Sequence, residues 1–250
     1  MKIPTGCTAQ TPLKIVSPEG LRKFLASKYN KPLFAEVSSD VLTKMSEKGE
    51  KSIEIGELKS LKILAGKLPQ INLNFILSGG CLNAENTRVG GNVTAIKEGA
   101  GLFGSILGNA KAIGNSIISV EKGIKGSALA SDKGVIKAKV TGSCVDASQG
   151  GVVRIEESIN SSATATSEGT IFAKTVFGDA TAGKDSLIYV KDVMHNANTY
   201  KGGKIEVDGN VLGHTHGENI TVDKTKVHHL PWENFDSRER FKLLKSLEQR

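Results

Sequence analysis

All five histidines of this 250-residue chain fall after residue 194, and two stand at a spacing that metal sites use. His214-Thr215-His216 would put both imidazoles on one face of a strand, because side chains alternate along an extended backbone. His228 and His229 could come near them in space. No cysteine or clear acidic ligand accompanies the group, so His214 and His216 are the candidates for a metal site without a complete ligand set. The same two positions also fall where earlier segments carry alanine. The competing expectation is therefore a pair of core imidazoles in a wetter last coil, whose charging at low pH would cost stability. A second candidate, Gly99-Ala100-Gly101-Leu102-Phe103-Gly104, matches G-x-G-x-x-G and follows a strand-like segment. A dinucleotide site would need a helix next and an acid about 20 residues on. Gly108 and Gly114 follow instead, and glycine weakens a helix. No nucleotide or other cofactor is expected. Asp132, Asp146, Asp179, Asp185 and Asp192 are spread along the chain, whereas a glycosidase or lyase needs its carboxylates gathered in one groove. Cys7, Cys81 and Cys144 are odd in number and widely spaced, which gives no disulfide framework. No catalytic residue is assigned, and the chain is expected not to be an enzyme.

The elements that would position these residues are set by a repeat. Between positions 117 and 219 one apolar pattern returns roughly every 16 to 18 residues, a period that fits one coil of a solenoid. Ile118, Ile136, Val153, Ile171, Ile188 and Ile205 form one column. Val120, Ala138, Ile155, Ala173, Val190 and Val207 form a second, two positions on. Ile124, Ile159, Phe177, Met194 and Val211 are placed in a third. Two further columns are mostly alanine, as at Ala128 and Ala130 or Ala180 and Ala182. Pairs at spacing two are short strands, and the breaks between them are corners. Gly134, Gly151, Gly169 and Gly203 stand at corners, where positive φ is expected of them. The pattern reaches back toward Ile53 and Ile55, which stand one such period before Ile71 and Leu73. Val93 and Ala95 fit again, but the next step is longer than the period, so Gly99 to Gly108 reads as a loop bulging from one corner. The expected fold is an all-β solenoid over residues 51–224. It is a parallel β-helix of about eight coils, each of roughly 17–18 residues.

Both ends break the pattern. Residues 1–50 read as a helical cap or module, with one helix starting at Ser17-Pro18-Glu19 and another near Ser39-Asp40. Residues 225–250 read as a connector and an amphipathic helix with a capping-box spacing at Asp236 and Glu239, expected as a helical cap on that end as well. Phe241, Leu244 and Leu247 lie on one side of that helix. Arg238, Arg240, Lys242 and Lys245 lie on the rest, as candidate contacts with a partner or a membrane surface. The charge agrees with this division. Lys+Arg against Asp+Glu is 12 to 7 over residues 1–70, 14 to 14 over 71–222 and 7 to 5 over 223–250. The net charge of +7 therefore resides at the ends. A nucleic-acid footprint would be a basic stripe along the body, so nucleic acid is not an expected partner. No apolar run long enough to span a membrane and no signal-peptide core is present, so the expected compartment is the cytoplasm.

The stretch Gly202-Gly203-Lys204-Ile205-Glu206-Val207-Asp208-Gly209-Asn210-Val211-Leu212-Gly213 resembles a coil of the bactofilins. It is also similar to the repeat domains of FapA-type proteins and to the C-terminal domain of MinC. Gly123 to Ala130 and Gly169 to Val176 carry the same resemblance, which spans roughly residues 90 to 222. It implies a right-handed parallel β-helix and a bactofilin-like cytoplasmic scaffold that polymerises end to end without nucleotide. No functional residue is carried over. Three expectations follow for function. The first is a structural protein acting through self-assembly or partner binding. The second is a partner- or membrane-binding effector-like module that uses its basic ends. The third is a carbohydrate-active β-helix enzyme.

Overall fold

The structure is a computed structural model, and it describes residues 12–28, 33–64 and 70–222. Two parallel sheets run the length of a solenoid. The broad sheet begins with Leu13–Ile15, Leu33–Ser38, Lys59–Leu64, Cys81–Val89 and Ala100–Ile106. It continues through Ile117–Val120, Val135–Thr141, Val152–Ile159, Thr170–Val176, Leu187–Val193 and Lys204–Val207 to Ile220–Val222. The narrow sheet runs from Ser52–Gly56 through Asn74–Ser78, Val93–Ile96, Ala110–Ile113 and Ala128–Ser131. Val145–Ser148, Ala163–Thr166, Ala180–Ala182, Ala197–Thr199 and Thr215–His216 complete it. Each broad strand pairs with the one a single coil away, so its path makes about 11 turns. At about 4.8 Å per turn the ladder is roughly 50 Å long.

The coil count therefore exceeds the eight expected, and the reason is loop length. Pairs in the regular body stand one near-constant period apart, as in Ile117↔Val135 and Val135↔Val152. Near the N-terminus the partners are Leu13↔Ala35, Leu33↔Lys59, Ser60↔Cys81 and Cys81↔Ala100. Those steps are too long and too unequal to register as a period. The first two of them each carry a helix. Helix α1 (Pro18–Ala26) starts where Ser17 accepts the Gly20 N–H on its side chain at 3.1 Å and proline takes the first turn. It buries Leu21 and Phe24. Helix α2 (Ser39–Glu47) is capped by Ser38 and buries Val41, Leu42 and Met45. Helix α1 packs on α2 and on Ser52–Gly56, the first narrow strand, and so covers that edge. The broad sheet meanwhile extends past the helices through Leu33–Ser38 to Leu13–Ile15, inside the stretch expected to be a helical cap.

The core is a set of register columns. Ile118, Ile136, Val153, Ile171, Ile188 and Ile205 are paired in sequence and fully buried. The narrow sheet supplies alanines: Ala110↔Ala128, Ala163↔Ala180 and Ala180↔Ala197. Long residues on one sheet therefore face short ones on the other, which keeps the interior filled. Within a broad strand the pairing breaks after Ala138 or Arg154 and resumes at Val140 or Ser158. That break is the corner between two inward-facing stretches.

Four expectations are corrected by this register. First, Gly99 to Gly108 is not a bulging loop. Ala100–Ile106 is a full broad strand, with Gly101 paired to Ile118 and Phe103 to Val120. A Cβ on Gly101 would strike the Phe103 ring, so one large residue fills the space of two columns. Second, Val93 and Ala95 belong to the narrow sheet, as do Ile53 and Ile55, which pair with Phe75 and Leu77. The apparent overlong step comes from joining two different sheets. Third, the third column runs Ile124, Thr141, Ile159, Val176, Val193. Phe177 is 49% exposed and Met194 only half-buried, because a slip of one position moves a side chain to the other face. Fourth, Gly134, Gly151, Gly169 and Gly203 do not carry positive φ. The two residues before them do, as at Asp132 (49°) with Lys133 (63°) and Ser167 (49°) with Glu168 (66°). These glycines are needed for close approach instead: a Cβ at Gly134 would collide with the Ala112 carbonyl, and at Gly169 with that of Ala147. Where serine takes the same place, its hydroxyl donates to that carbonyl. Ser116 Oγ reaches Ala95 O and Ser186 Oγ reaches Ala165 O, each at 2.8 Å.

Candidate functional site

The described histidines, His195, His214 and His216, lie toward the C-terminal end, where one of two corner ladders finishes. At the corner before six of the narrow strands the backbone N–H is accepted by a polar side chain one coil back. Asn74 accepts from Asn92 (2.7 Å), Asn92 from Asn109 (2.8 Å) and Asn109 from Ser127 (2.8 Å). Further along, Ser162 accepts from Asp179, Asp179 from Asn196 (3.0 Å) and Asn196 from His214 (2.9 Å). His214 is therefore the last rung of a corner ladder. It does not occupy an alanine column. Ala197 pairs with Thr215 and Asn198 with His216, so the predicted register is off by one. Both imidazoles are exposed, with ring centroids 6.0 Å apart. His195 Nδ1 stands 4.0 Å from Asp179 Oδ1, and both side chains are largely exposed. Among the described residues no three His, Cys, Asp or Glu are grouped to hold a metal ion. Water can compete freely at such a corner.

The five aspartates occupy different places. Asp132 and Asp185 sit on left-handed turns, and Asp179 is in the corner ladder. Asp192 accepts the Asn210 N–H at 3.0 Å. Asp146 lies on the outer side of the narrow sheet between Leu129 and Thr164. Partial burial raises its carboxyl above the ordinary value by desolvation. Cys144 Sγ lies 3.4 Å from Ser161 Oγ, another corner contact between coils.

One outward row escaped sequence reasoning. Lys137, Arg154, Phe172, Tyr189 and Glu206 are register partners on the outer face of the broad sheet. Phe172 and Tyr189 are in contact, with ring centroids 6.4 Å apart and planes tilted by 43°. The Tyr189 hydroxyl donates to Asp208 at 3.0 Å. Arg154 and Phe172 are 9% and 8% exposed although they alternate with core residues. The only signal was an arginine and two aromatics at alternate, outward positions of three successive coils.

The last turn is where the solenoid loosens. Val211, Ile220 and Val222 are half-buried, while Thr215 and His216 are exposed and Leu212 is 70% exposed. The step Ile205↔Ile220 is shorter than those of the body. Arg238, Arg240, Lys242, Lys245, His228 and His229 lie outside the described residues, as does the expected C-terminal helix. Among the described residues no helix is long and apolar enough to cross a membrane. No family model matches this sequence, and neither a curated protein nor a solved structure matches it.

Proposed function

We propose that this protein is a non-catalytic structural protein, bactofilin-like, whose right-handed solenoid is a rigid body that assembles or binds through its ends. The observation that carries this reading is the asymmetry between body and ends. In the body, side chains at the corners are occupied by contacts from coil to coil, and the charge is balanced at 14 to 14 over residues 71–222. At the C-terminal end the last strands present backbone and half-buried apolar residues. Strand edges of this kind are templates for a further strand. The repeat stretch Gly202 to Gly213 and its relatives support the bactofilin-like reading, with a cytoplasmic place of action. The test is light scattering over a range of concentrations with electron microscopy, on the full chain and on a chain lacking residues 231–250. Oligomers or filaments in either one are expected. Monomers in both, at every concentration, would overturn the assembly reading.

A further inference from the structure

The broad sheet finishes on the same two core columns at both ends of the solenoid. Leu13 pairs with Ala35, Ala35 with Leu61, Leu61 with Leu82 and Leu82 with Gly101, which joins the column of Ile118 to Ile205 and then Ile220. The second column begins with Ile15 and Val37 and ends with Val207 and Val222. Inner members such as Ile118 and Ile205 are fully buried, yet Leu13 is 56% exposed and Ile220 and Val222 are only half-buried. These are core positions with a column neighbour on one side only among the described residues.

The backbone groups at the two ends match. Inward residues of the broad sheet bond toward the following coil: Leu33 donates its N–H to Leu58 O (2.8 Å) and Ile205 to Asn219 O (3.1 Å). Outward residues bond toward the preceding coil, as Lys204 does to Ser186 O (2.8 Å). By this alternation the N–H and C=O groups of Ile220 and Val222 aim out of the C-terminal end. Those of Lys14, with the Pro12 carbonyl and the Val16 N–H, aim out of the N-terminal end. No described residue pairs with either edge. The ends also differ in charge. Residues 205–222 hold Glu206, Asp208 and Glu218 and no lysine or arginine, whereas residues 12–28 hold Lys14, Arg22, Lys23 and Lys28 against Glu19.

We infer that the two ends of the broad sheet join head to tail, so that Ile220–Val222 of one copy pairs in parallel with Leu13–Ile15 of a second copy. Continuity of the columns sets the register: Ile220 lies beside Leu13 of the second copy, and Val222 beside its Ile15. In that register Ile220 donates to the Pro12 carbonyl and Val222 to the Lys14 carbonyl, while the Lys14 and Val16 N–H groups donate back to Ile220 and Val222. Pro12 has no N–H to give, and the junction requires none of it. The acidic last turn meets the basic first segment. Helix α1 covers the first narrow strand, so the broad sheet alone carries the junction. Unlike ends meet, which makes the contact heterologous and the product an open, directional chain of copies. This junction rests on the assembly reading above and gives it joining strands, a register and a direction.

The experiment blocks one end at a time in the full chain and reads mass by light scattering over a range of concentrations. Val222→Pro removes a donor that only the junction uses, and Leu13→Asp puts a carboxylate on the other edge, against the acidic turn. Wild-type mass is expected to grow with concentration, and each variant alone to stay monomeric at concentrations at least about tenfold higher. Mixed in equal amounts, the two variants should form a dimer and stop there, because each supplies the end the other lacks. Lys14→Glu changes an exposed side chain, leaves the core untouched and should weaken assembly about threefold, which keeps the test standing if Leu13→Asp does not fold. A single variant that assembles like wild type would overturn the junction and leave the assembly reading in place. So would one that dimerises alone, because like ends then meet, or a mixture of the two folded variants that stays monomeric. A wild type that is monomeric at every concentration would overturn both.

Discussion

Restoring the regular pattern in the one coil that departs from it tests the register most directly. In that coil Gly101 and Phe103 stand where the next coil has Ile118 and Val120. Phe103 is fully buried, and its ring lies 6.5 Å from that of Phe75. Phe103→Val removes four buried carbons, worth about 3 kcal/mol at about 0.8 kcal/mol each, and about 1 kcal/mol of aromatic contact. Gly101→Ile alone drives a branched side chain into the Phe103 ring and toward Leu77 Cδ1, 2.8 Å from the first added atom. Such overpacking costs about 3 kcal/mol. The double variant reproduces the neighbouring coil, with the isoleucine occupying the space the ring vacates. It should lie within about 1–2 kcal/mol of wild type, a favourable coupling of several kcal/mol between adjacent positions. In a chain of this size each kcal/mol moves the melting midpoint by roughly 2–4 °C. Each single variant should therefore melt at least about 6 °C below wild type, and the double should recover most of the loss. Thermal and urea midpoints by circular dichroism read this out. A double variant no more stable than the worse single one would refute the register at this coil.

Ile171→Asp places a carboxylate in a fully buried column of a middle coil and should abolish the cooperative melt, so an unchanged midpoint would discard the column. Ser186→Ala removes the hydroxyl that donates to Ala165 O and should lower stability by about 1 kcal/mol, seen as a small drop in urea midpoint. Asn109→Ala deprives the Ser127 N–H of its acceptor and should cost about 1 kcal/mol, with faster amide exchange at Ser127. Asp146 carries a carboxyl whose folded pKa is raised by desolvation, so the folded state binds its proton more readily than the unfolded state. Its charged form therefore opposes folding at neutral pH, and that penalty fades as pH falls through the folded value. Asp146→Asn should raise the melting midpoint at pH 7, and the gain should vanish on acidification; a gain that persists unchanged in acid would refute the cause.

The repeat was legible because inward positions cannot accept charge. From Ile118 to Val207 two columns and the alanine pairs can be read without coordinates. Legibility fails where volume is conserved across positions and not within one. Gly101 and Phe103 together fill what Ile118 and Val120 fill, but a column search sees a glycine and loses the strand. It fails again where a step shortens by one position, because Phe177 then stands in for Val176 and the face is reversed. A slip of the opposite sense, a step longer by one, put His214 and His216 into the core columns, whereas Ala197 pairs with Thr215 and Asn198 with His216. At the N-terminus, helices α1 and α2 were readable from their caps, yet the strands Leu13–Ile15 and Leu33–Ser38 were not. A short strand set in steps as long and unequal as Leu13↔Ala35 and Leu33↔Lys59 has no periodic partner to mark it.

The two ends of the ladder pose one physical problem with two answers. A parallel stack always finishes with N–H groups or carbonyls directed at nothing and with core side chains covered on one side only. Every added coil moves the problem along by one step and leaves it unsolved. A chain that solves it internally must break its own repeat, because a covering element cannot itself present a new edge. Helix α1 does this on the narrow sheet, since its hydrogen bonds close within the helix and its buried residues, Pro18, Leu21 and Phe24, are all that need a partner surface. The aperiodic residues are thus where the choice between a closed rod and an extendable one is made.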